Sequence, residues 1–365
     1  MGMQIGIVGL PNVGKSTMFN ALTNAGAQAA NYPFCTIDPN VGVVPIRDAR
    51  LDRLAKIVGT PTIIYATMEF VDIAGLVKGA SKGEGLGNKF LANIRDTDAL
   101  AHVVRCFDDP NVVHVDGSVD PARDAATINT ELLLADIEAV DRRLSKQSKA
   151  AKGGDKEAAQ EVALLERIFA VLNDGRPART VPATKEEDAI IKTFHLLTRK
   201  PMIYVANTAD PTPGVNNPHL ERIRAVATAE GAGLVALSCR TEAEIAELDD
   251  EAERRMFLAD LGLTESGLDR LAHAAFDLLG LQTYYTAGVK EARAWTIRKG
   301  WTAPQAAGVI HTDFERGFIK AEIYHCDDIF ELGTETAVAA KGKKRMEGKE
   351  YVMREGDVVH FRFNV

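Results

Sequence analysis

The feature that most constrains this chain is a glycine-rich run at residues 9–17, G-L-P-N-V-G-K-S-T, which matches the pattern G-x-x-x-x-G-K-[ST]. The apolar run at residues 4–8 predicts a buried strand before it, and residues 18–22 continue as a helix. A loop between a strand and a helix N-terminus turns backbone N–H groups toward phosphate oxygens. The run therefore predicts a phosphate-binding loop that contacts nucleotide through Asn12, Val13, Gly14, Lys15, Ser16 and Thr17.

A second motif follows in the order typical of GTPase-like proteins. Residues 67–71 predict a strand that ends in D-x-x-G, from Asp72 to Gly75. In such proteins the aspartate holds magnesium through water and the glycine N–H contacts the γ-phosphate. Ser16 is expected to bind the same ion, and Lys15 to reach the β- and γ-phosphates. The pair of motifs predicts a nucleoside triphosphate bound with magnesium and hydrolysed.

Two segments near these motifs suggest nucleotide-dependent switches. Thr36 lies roughly twenty residues after the loop lysine, where such proteins supply a hydroxyl to the metal. A threonine in a loop is more often structural when taken alone, but its place in the order of motifs favours the metal-binding role. Residues 78–87 are rich in glycine and have little backbone rigidity of their own, which suits either a switch loop or a passive surface loop.

A base-binding motif of the form N-K-x-D is expected after a later strand. Residues 201–206 predict that strand, and Asn207, Thr208 and Asp210 follow it, with threonine in the place of the lysine. Residues 233–237 predict another strand, after which Ser238 occupies the last loop on the base side. An aspartate at position 210 favours guanine, whereas the lost lysine removes a contact that helps to hold it. The choice between ATP and GTP stays open on these residues.

Composition excludes several classes of protein. The formal net charge is −8, so the chain does not hold nucleic acid by bulk charge, and RNA contact needs a local basic patch. We expect no DNA partner. The four cysteines form no C-x-x-C pair, so neither a zinc site nor a redox motif is indicated. No export or lipidation signal and no long apolar run is present, which favours a cytoplasmic protein without a membrane partner.

These motifs together resemble one family closely, the Obg-like ATPases of the YchF group within the TRAFAC class of P-loop proteins. The resemblance spans the whole chain and is carried by residues 9–17, 32–36, 71–80, 103–107 and 361–365. It implies a GTPase-type core that prefers ATP, a helical insertion and a C-terminal TGS domain. It also implies a ribosome partner, the large subunit in particular, contacted through the TGS and helical domains.

The expected fold is an α/β protein with a mostly parallel sheet covered by helices on both faces. We predict a nucleotide domain at residues 1–281, with a helical hairpin inserted at 124–199, and a β-rich TGS-like domain at 282–365. Apolar residues recur at helical spacing on both arms of the hairpin, at Leu133, Ile137, Val140 and Leu144 and at Val162, Leu165, Phe169 and Leu172. We expect this stripe to seal the hairpin itself. Residues 322–325, 351–353 and 358–363 predict strands, with a hairpin turn at 354–357.

The residue after D-x-x-G is Leu76, where many GTPases carry the glutamine that orients the attacking water. Leucine cannot form that hydrogen bond, so another group must position the water. The resemblance implies two substitutes: a potassium ion bound beside the phosphates by Asn12, and a catalytic part for His114. His114 lies in the apolar run 111–115, which predicts a strand, so a satisfied core histidine is the alternative.

The function predicted from these residues is a ribosome-associated nucleoside triphosphatase that slowly hydrolyses ATP with magnesium, GTP being the second choice. Its catalytic group is expected to include His114, Asn12, Lys15 and Gly75. One alternative is a GTP-preferring translational GTPase. Another is a nucleotide-gated RNA-binding module with little hydrolysis, which the leucine at position 76 allows. A metabolic phosphotransferase fits worse, because the D-x-x-G and base motifs would then have no role.

Overall fold

The structure is a computed structural model that describes residues 3–28, 40–73, 86–212, 216–248 and 250–364. Thr36, Gly75, Leu76 and most of residues 78–87 lie outside these ranges. Contacts divide the chain into two compact units. One holds most of the described residues up to Leu271. The other groups Val43–Met68 with the residues from Ala272 onward.

A six-stranded sheet of order β2-β4-β1-β5-β6-β7 has most of its residues in the first unit. Its strands are β1 (Gln4–Val8), β2 (Val41–Ile46), β4 (Ala66–Asp72), β5 (Ala99–Arg105), β6 (Met202–Asn207) and β7 (Gly233–Leu237). The pairs β1–β4, β1–β5, β5–β6 and β6–β7 are parallel. All side chains of β5 and β6 are buried, as in a parallel sheet covered on both faces. This sheet confirms the predicted α/β fold.

Helices connect or follow these strands, and the predicted motifs lie at one edge of the sheet. They are α1 (Lys15–Gln28), α3 (Leu86–Arg95), α4 (Pro121–Lys152), α5 (Lys156–Asn173), α6 (Lys185–Lys192), α7 (Pro218–Glu230), α8 (Cys239–Ala246), α9 (Glu251–Asp260) and α10 (Gly267–Leu278). The phosphate loop follows β1, Asp72 ends β4, Asn207 ends β6 and Ser238 follows β7. Parallel strands carry their carboxyl ends to the same edge, which is where ligands bind in such sheets.

The long helix α4 and helix α5 form the predicted helical hairpin. Asp120 caps α4 by accepting the N–H groups of Ala122 and Arg123, and Asp155 caps α5 after the turn. Their facing side chains form one apolar cluster, which includes Val140, Leu144, Leu165, Phe169 and Leu172. The apolar stripe therefore seals the hairpin itself, as predicted.

The second unit has its own six-stranded sheet, of order β11-β10-β12-β8-β9-β3. Its strands are β3 (Ile63–Ile64), β8 (Leu281–Ala287), β9 (Ala292–Arg298), β10 (Phe318–His325), β11 (Arg345–Glu347) and β12 (Asp357–Phe363). Its helices are α2 (Ala49–Val58), α11 (Ala303–Ile310), α12 (Thr312–Arg316), α13 (Cys326–Leu332) and α14 (Glu335–Ala340). The strand predictions at 322–325 and 358–363 are confirmed.

The strand predicted at residues 351–353 is wrong. Val352 forms only an isolated bridge with Thr302, and the Met353 N–H donates to the Trp301 carbonyl. A turn does close between Arg354 and Asp357, whose N–H donates to the Arg354 carbonyl over 3.2 Å. It is not a hairpin turn, because β12 pairs with β10 and β8 instead of with the segment before the turn. The partners of a strand depend on contacts with residues far away in sequence. The local alternation of apolar and polar residues does not indicate those partners.

Helix α2 belongs to the second unit although it lies early in the chain. The Tyr285 hydroxyl on β8 donates to Asp48, the N-cap of α2, and Asp48 also pairs with Arg50 over 2.8 Å. Arg50 in turn pairs with Glu355 over 2.6 Å. These polar contacts hold the first turn of α2 to the sheet. The domain boundary at 281/282 stays a prediction.

Within the described ranges, no helix is both long enough and apolar enough to cross a membrane.

Candidate nucleotide-binding site

Two positions of the phosphate loop have backbone angles and close neighbours that only glycine tolerates. Gly9 has φ 155°, and a Cβ atom there would lie 2.4 Å from the Val103 carbonyl oxygen. Gly14 has φ 105°, and a Cβ atom would lie 2.3 Å from the Asn207 side-chain nitrogen. Both distances are far inside van der Waals contact. The two glycines of the motif are therefore required by close approach of the neighbouring strands.

Lys15 is held inside the loop at the start of α1. Its Nζ is buried and donates to the Leu10 carbonyl over 2.7 Å. Burial lowers the pKa of Lys15 to about 8, and the charge of Asp72 opposes that shift. A desolvated ammonium group gains most from a new anionic neighbour. The geometry therefore suits Lys15 to a phosphate ligand.

The metal-binding prediction rests on oxygen donors beside this lysine. Ser16 is exposed on the first turn of α1, and Asp72 ends β4. Burial raises the pKa of Asp72, while the charge of Lys15 acts in the opposite direction. A hydroxyl and a carboxylate are the hard ligands that Mg²⁺ takes, so these residues fit the ion. The third predicted ligand, Thr36, lies outside the described residues.

Asn207 connects the phosphate loop to the loop after β7. Its Nδ2 donates to the Val13 carbonyl over 2.8 Å, and its Oδ1 accepts the Cys239 N–H over 3.0 Å. Thr208 is buried, and its hydroxyl donates to the Asp210 carbonyl over 2.7 Å. Ser238 caps α8 by accepting the Thr241 N–H. Asn207, Thr208 and Ser238 all line the cavity described below.

Asp210 does not join the other predicted base-binding residues. Its carboxylate accepts the Thr212 N–H over 2.8 Å, and the residue is exposed. Hydrogen bonds from Thr212 lower its pKa. The cavity that Asn207, Thr208 and Ser238 line does not include it. The Asp210 carboxylate instead binds its own loop.

Eight of the predicted residues line a cavity of about 450 Å³ at the sheet edge, whereas Val13, Asp72, His114 and Asp210 do not line it. It is lined by Asn12, Gly14, Lys15, Ser16, Thr17, Asn207, Thr208 and Ser238, and also by Phe107, Asp108, Asp109, Val112, Ala209, Cys239 and Arg240. A volume of this size is within the usual range for a small-molecule site. Sequence reasoning missed the second group, which comes mainly from the loop after β5.

Buried Arg105 shapes that loop. Its Nε donates to the Phe107 carbonyl over 3.0 Å, Nη1 to Val112 over 2.9 Å and Nη2 to Asp109 over 3.1 Å. The guanidinium carbon also lies 4.7 Å from the centre of the Phe107 ring. A guanidinium presents its donors in a rigid fork, so it fixes the three carbonyls together. The available signal was a charged residue ending an otherwise apolar strand.

His114 lies in an irregular loop, so the strand predicted at 111–115 is wrong. Its Nδ1 accepts the Asp116 N–H over 3.1 Å, so Nε2 carries the proton and donates to Asp124 over 2.8 Å. The two side chains are only 6% and 2% exposed. The loop touches the phosphate loop, because Asn12 Nδ2 donates to the Val113 carbonyl over 3.1 Å. Both ring nitrogens are thus engaged beside the nucleotide cavity.

The fold and the site together define a GTPase-type P-loop nucleotide-binding protein. A family model described as a 50S ribosome-binding GTPase matches residues 4–130, and the YchF-GTPase C-terminal model, described as a protein of unknown function, matches residues 281–364. The chain belongs to the YchF family.

Several relatives match over the full length of both chains. The chain is 58% identical to the "Ribosome-binding ATPase YchF" of Haemophilus influenzae and 55% identical to that of Escherichia coli O157:H7. It is 53% identical to the protein of that name from Bacillus subtilis. A solved structure titled "Structure of the Schizosaccharomyces pombe YchF GTPase" superposes with a TM-score of 0.89 at 39% identity, covering 99% of this chain and 98% of that one.

Proposed function

We propose that this protein is a cytoplasmic, ribosome-binding ATPase that binds ATP with Mg²⁺ at the phosphate loop and hydrolyses it slowly. The observation that carries the proposal is the cavity lined by Lys15 of the phosphate loop and by Asn207, Thr208 and Ser238. The names of full-length relatives, ribosome-binding ATPases, support the activity and the ribosome as partner. The family to which the chain belongs implies a nucleotide-associated metal.

On nucleotide binding, the Lys15 ammonium would give up its hydrogen bond to the Leu10 carbonyl and pair with the phosphates. Their negative charge would compensate for the burial of the positive charge. Val13, Gly14, Ser16 and Thr17 would turn backbone or hydroxyl groups to the same phosphates. Ser16, Asp72 and Thr36 would hold Mg²⁺, which neutralises phosphate charge. Asn12 is exposed at the cavity with its amide nitrogen already bonded to Val113, leaving its oxygen as the atom to bind K⁺.

Leu76 cannot orient water, so we assign that role to His114 in the proposed mechanism. Its loop contacts Asn12 of the phosphate loop, and Asp124 fixes the proton on Nε2. Nδ1 could accept a hydrogen bond from water once the Asp116 N–H releases it. Gly75, predicted to contact the γ-phosphate, completes the proposed catalytic group. Because Leu76 cannot orient water and the bond to Nδ1 must open before His114 can, slow basal turnover is expected.

The preference for ATP rests on Asp210. Guanine is selected by a carboxylate that accepts its N1–H and 2-amino groups. Here that carboxylate accepts the Thr212 N–H and does not line the cavity. Adenine has no need of that acceptor, whereas guanine would leave two donors without a partner. The neighbour in Schizosaccharomyces pombe is titled a GTPase, so the two nucleotides must be compared directly.

Competition of ATP and GTP for the purified protein tests the proposal. We expect ATP to displace a fluorescent ATP analogue at a concentration at least roughly tenfold below that of GTP, and Asp210→Asn to change neither value. Tighter binding of GTP, lost in Asp210→Asn, would favour the GTPase alternative. Phosphate release is then measured with and without ribosomes. Absence of release in both cases would support the nucleotide-gated RNA-binding module instead.

A further inference from the structure

The second unit carries three neighbouring side chains of the types that bind metal ions, and the nucleotide site uses none of them. His325 ends β10, and Cys326 and Asp327 begin α13. One possible ligand atom from each residue lies within 4.8 Å of the other two. Within the ranges that the structure describes, no other group of three histidine, cysteine or acidic side chains meets this distance. We call these three residues the His-Cys-Asp cluster.

The passage from strand to helix lets three consecutive residues face one point. His325 is the N-cap of α13, with φ −85° and ψ 147°, and its Nδ1 accepts the Asp327 N–H over 3.2 Å. The imidazole therefore folds back over the first turn of the helix. Nδ1 lies 3.3 Å from the Asp327 carboxylate and 4.0 Å from the Cys326 sulfur. The sulfur lies 4.0 Å from the same carboxylate. Within a regular strand or helix, successive side chains would diverge.

These separations are close to those that a tetrahedral zinc ion requires. Zinc lies about 2.3 Å from a cysteine sulfur and about 2.0–2.2 Å from a nitrogen or oxygen ligand. Tetrahedral angles then separate nitrogen from oxygen by about 3.4 Å, and sulfur from either of them by about 3.6 Å. The distances in the His-Cys-Asp cluster differ from these values by about 0.4 Å or less. Small side-chain rotations would complete the geometry.

The second nitrogen of the imidazole is engaged as it is in metal-binding histidines. Nε2 of His325 lies 3.0 Å from the Glu355 carbonyl oxygen. Because a carbonyl oxygen can only accept, Nε2 carries the proton and Nδ1 presents its lone pair to the cluster. A backbone carbonyl in this place fixes the tautomer and the ring orientation of a metal ligand. A bound ion would take the place of the Asp327 N–H on that lone pair.

The turn before β12 supports the cluster. The Cys326 N–H donates to the Gly356 carbonyl over 2.9 Å. Gly356 has φ 86°, and a Cβ atom there would lie 2.7 Å from Nε2 of His325 and 3.0 Å from the Cys326 sulfur. Glycine therefore lets the imidazole and the thiol pack directly against the turn. Cys326 is buried, whereas the Asp327 side chain is 78% exposed, so an ion can enter from the side of the carboxylate.

Helix capping alone accounts for the histidine and the aspartate but not for the thiol. His311 caps α12 in the same way: its Nδ1 accepts the Asp313 N–H over 3.2 Å and lies 3.3 Å from the Asp313 carboxylate. The residue between them is Thr312. The two caps have matching distances, so the thiol of Cys326 distinguishes them. Burial raises the pKa of this thiol to about 11, which disfavours a redox role, because the thiolate is the form that is oxidised.

We propose that Nδ1 of His325, the Cys326 thiolate and the Asp327 carboxylate bind a zinc ion, with water in the fourth position. Sulfur and nitrogen ligands suit zinc, whereas magnesium prefers oxygen ligands alone. The thiol proton passes to solvent as the zinc–sulfur bond forms. The ion would join the end of β10 to the first turn of α13 and so stabilise the second unit. This site is independent of the proposed function.

The test uses the full-length chain, reduced, freed of metal with a chelator, and titrated with Co²⁺ and then with Zn²⁺. Cobalt in place of zinc shows a charge-transfer absorption when a thiolate is among its ligands. Cobalt bound by oxygen ligands at the phosphate loop does not produce this absorption. The melting temperature of each metal-free variant verifies that it is folded. The variants of the cluster are Cys326→Ser, His325→Ala and Asp327→Asn. The matched controls are His311→Ala, which removes the similar cap, and Asp328→Asn, which removes the neighbouring carboxylate.

We expect one Co²⁺ per chain with the thiolate absorption, displaced by Zn²⁺. Cys326→Ser should lose the absorption, and the other two cluster variants should bind Co²⁺ at least roughly tenfold more weakly, whereas both controls stay within about twofold. Zinc at roughly a hundredfold excess over its dissociation constant should raise the melting temperature of the unchanged protein by roughly 3 °C or more.

Absence of the thiolate absorption in the unchanged protein, or its persistence in Cys326→Ser, would overturn the proposal. An equal loss of affinity in His311→Ala would overturn it as well, since that variant leaves the His-Cys-Asp cluster intact. If His325→Ala does not fold, Asp327→Asn decides the outcome, because it changes an exposed side chain. Unchanged Co²⁺ affinity in Asp327→Asn would then refute the three-ligand site.

Discussion

Replacing Asp124 by asparagine tests whether the structure presents His114 as a catalytic group or as a packed side chain. Nε2 of His114 donates to the carboxylate over 2.8 Å, and Nδ1 accepts the Asp116 N–H over 3.1 Å. The bond from the Asp116 N–H to Nδ1 joins two neutral groups. Such a bond contributes about 1 kcal/mol, so it is open in roughly one molecule in six. The bond to a charged acceptor contributes about 1.5–3 kcal/mol and keeps the proton on Nε2. Water would therefore meet Nδ1.

Asparagine at position 124 retains an acceptor but loses the charge. We expect a loss of about 1.4 kcal/mol in the transition state and so about tenfold slower hydrolysis, with ATP affinity unchanged. His114→Ala removes the group and should slow hydrolysis roughly a hundredfold, the usual scale of a general base. Because Asp124 acts through His114, the double variant should be no slower than His114→Ala.

The assay is single-turnover phosphate release, with affinity and melting temperature measured on the same samples. Asp116→Asn is the matched control, since it removes a carboxylate from the same loop but retains the N–H that His114 accepts. If Asp124→Asn hydrolyses ATP at the unchanged rate, or if the double variant is another tenfold slower, the positioning role is refuted. If His114→Ala lowers melting temperature and affects binding and turnover alike, His114 is a core residue.

Three further variants address the rest of the site and its support. Lys15→Ala should stay folded, because it loses only the bond to Leu10 among those described, but weaken ATP binding roughly a hundredfold by calorimetry, about 2.7 kcal/mol; unchanged affinity would refute the site. Hydrolysis should run faster in potassium than in sodium at equal ionic strength. Asn12→Gly, which tolerates the positive φ of 63° at this position, should abolish the difference between the two salts. Equal rates of the unchanged protein in both salts would refute the cation site. Asp136→Ala should lower the free energy of unfolding in urea by about 3 kcal/mol, since this buried carboxylate accepts two N–H groups and the Thr198 hydroxyl; a loss below about 1 kcal/mol would contradict that accounting.

The sequence alone was sufficient where structure depends on contiguous residues. The strand, phosphate loop and helix at residues 4–28 are one local unit, and the order of the later motifs places Asp72, Asn207 and Ser238 at the carboxyl edge of the sheet. The α/β fold was predictable for this reason. The seam of the hairpin was predictable too, because its apolar residues recur with the period of the helix.

Only the tertiary structure decided which polar groups meet. The motif predicted a base contact for Asp210, yet its carboxylate binds the Thr212 N–H. The loop after β5 also lines the site, and the only sequence signal for it was a charged residue at the end of an apolar strand. Val352 pairs with Thr302 instead of forming a strand. The fold also decided which charges are neutralised. Within the basic run 341–345, Lys343 and Lys344 pair with carboxylates from other elements.

The physical reason is the range of each interaction. Helix periodicity, capping and glycine conformations act within a few residues, so they can be recognised in the chain itself. Hydrogen bonds and ion pairs join groups by distance in space: Asn207 and Val13 are 194 positions apart and bonded over 2.8 Å. The chemical type of a side chain determines which hydrogen bonds it can donate or accept. The fold alone determines which of those bonds form and which charges stay free for a partner.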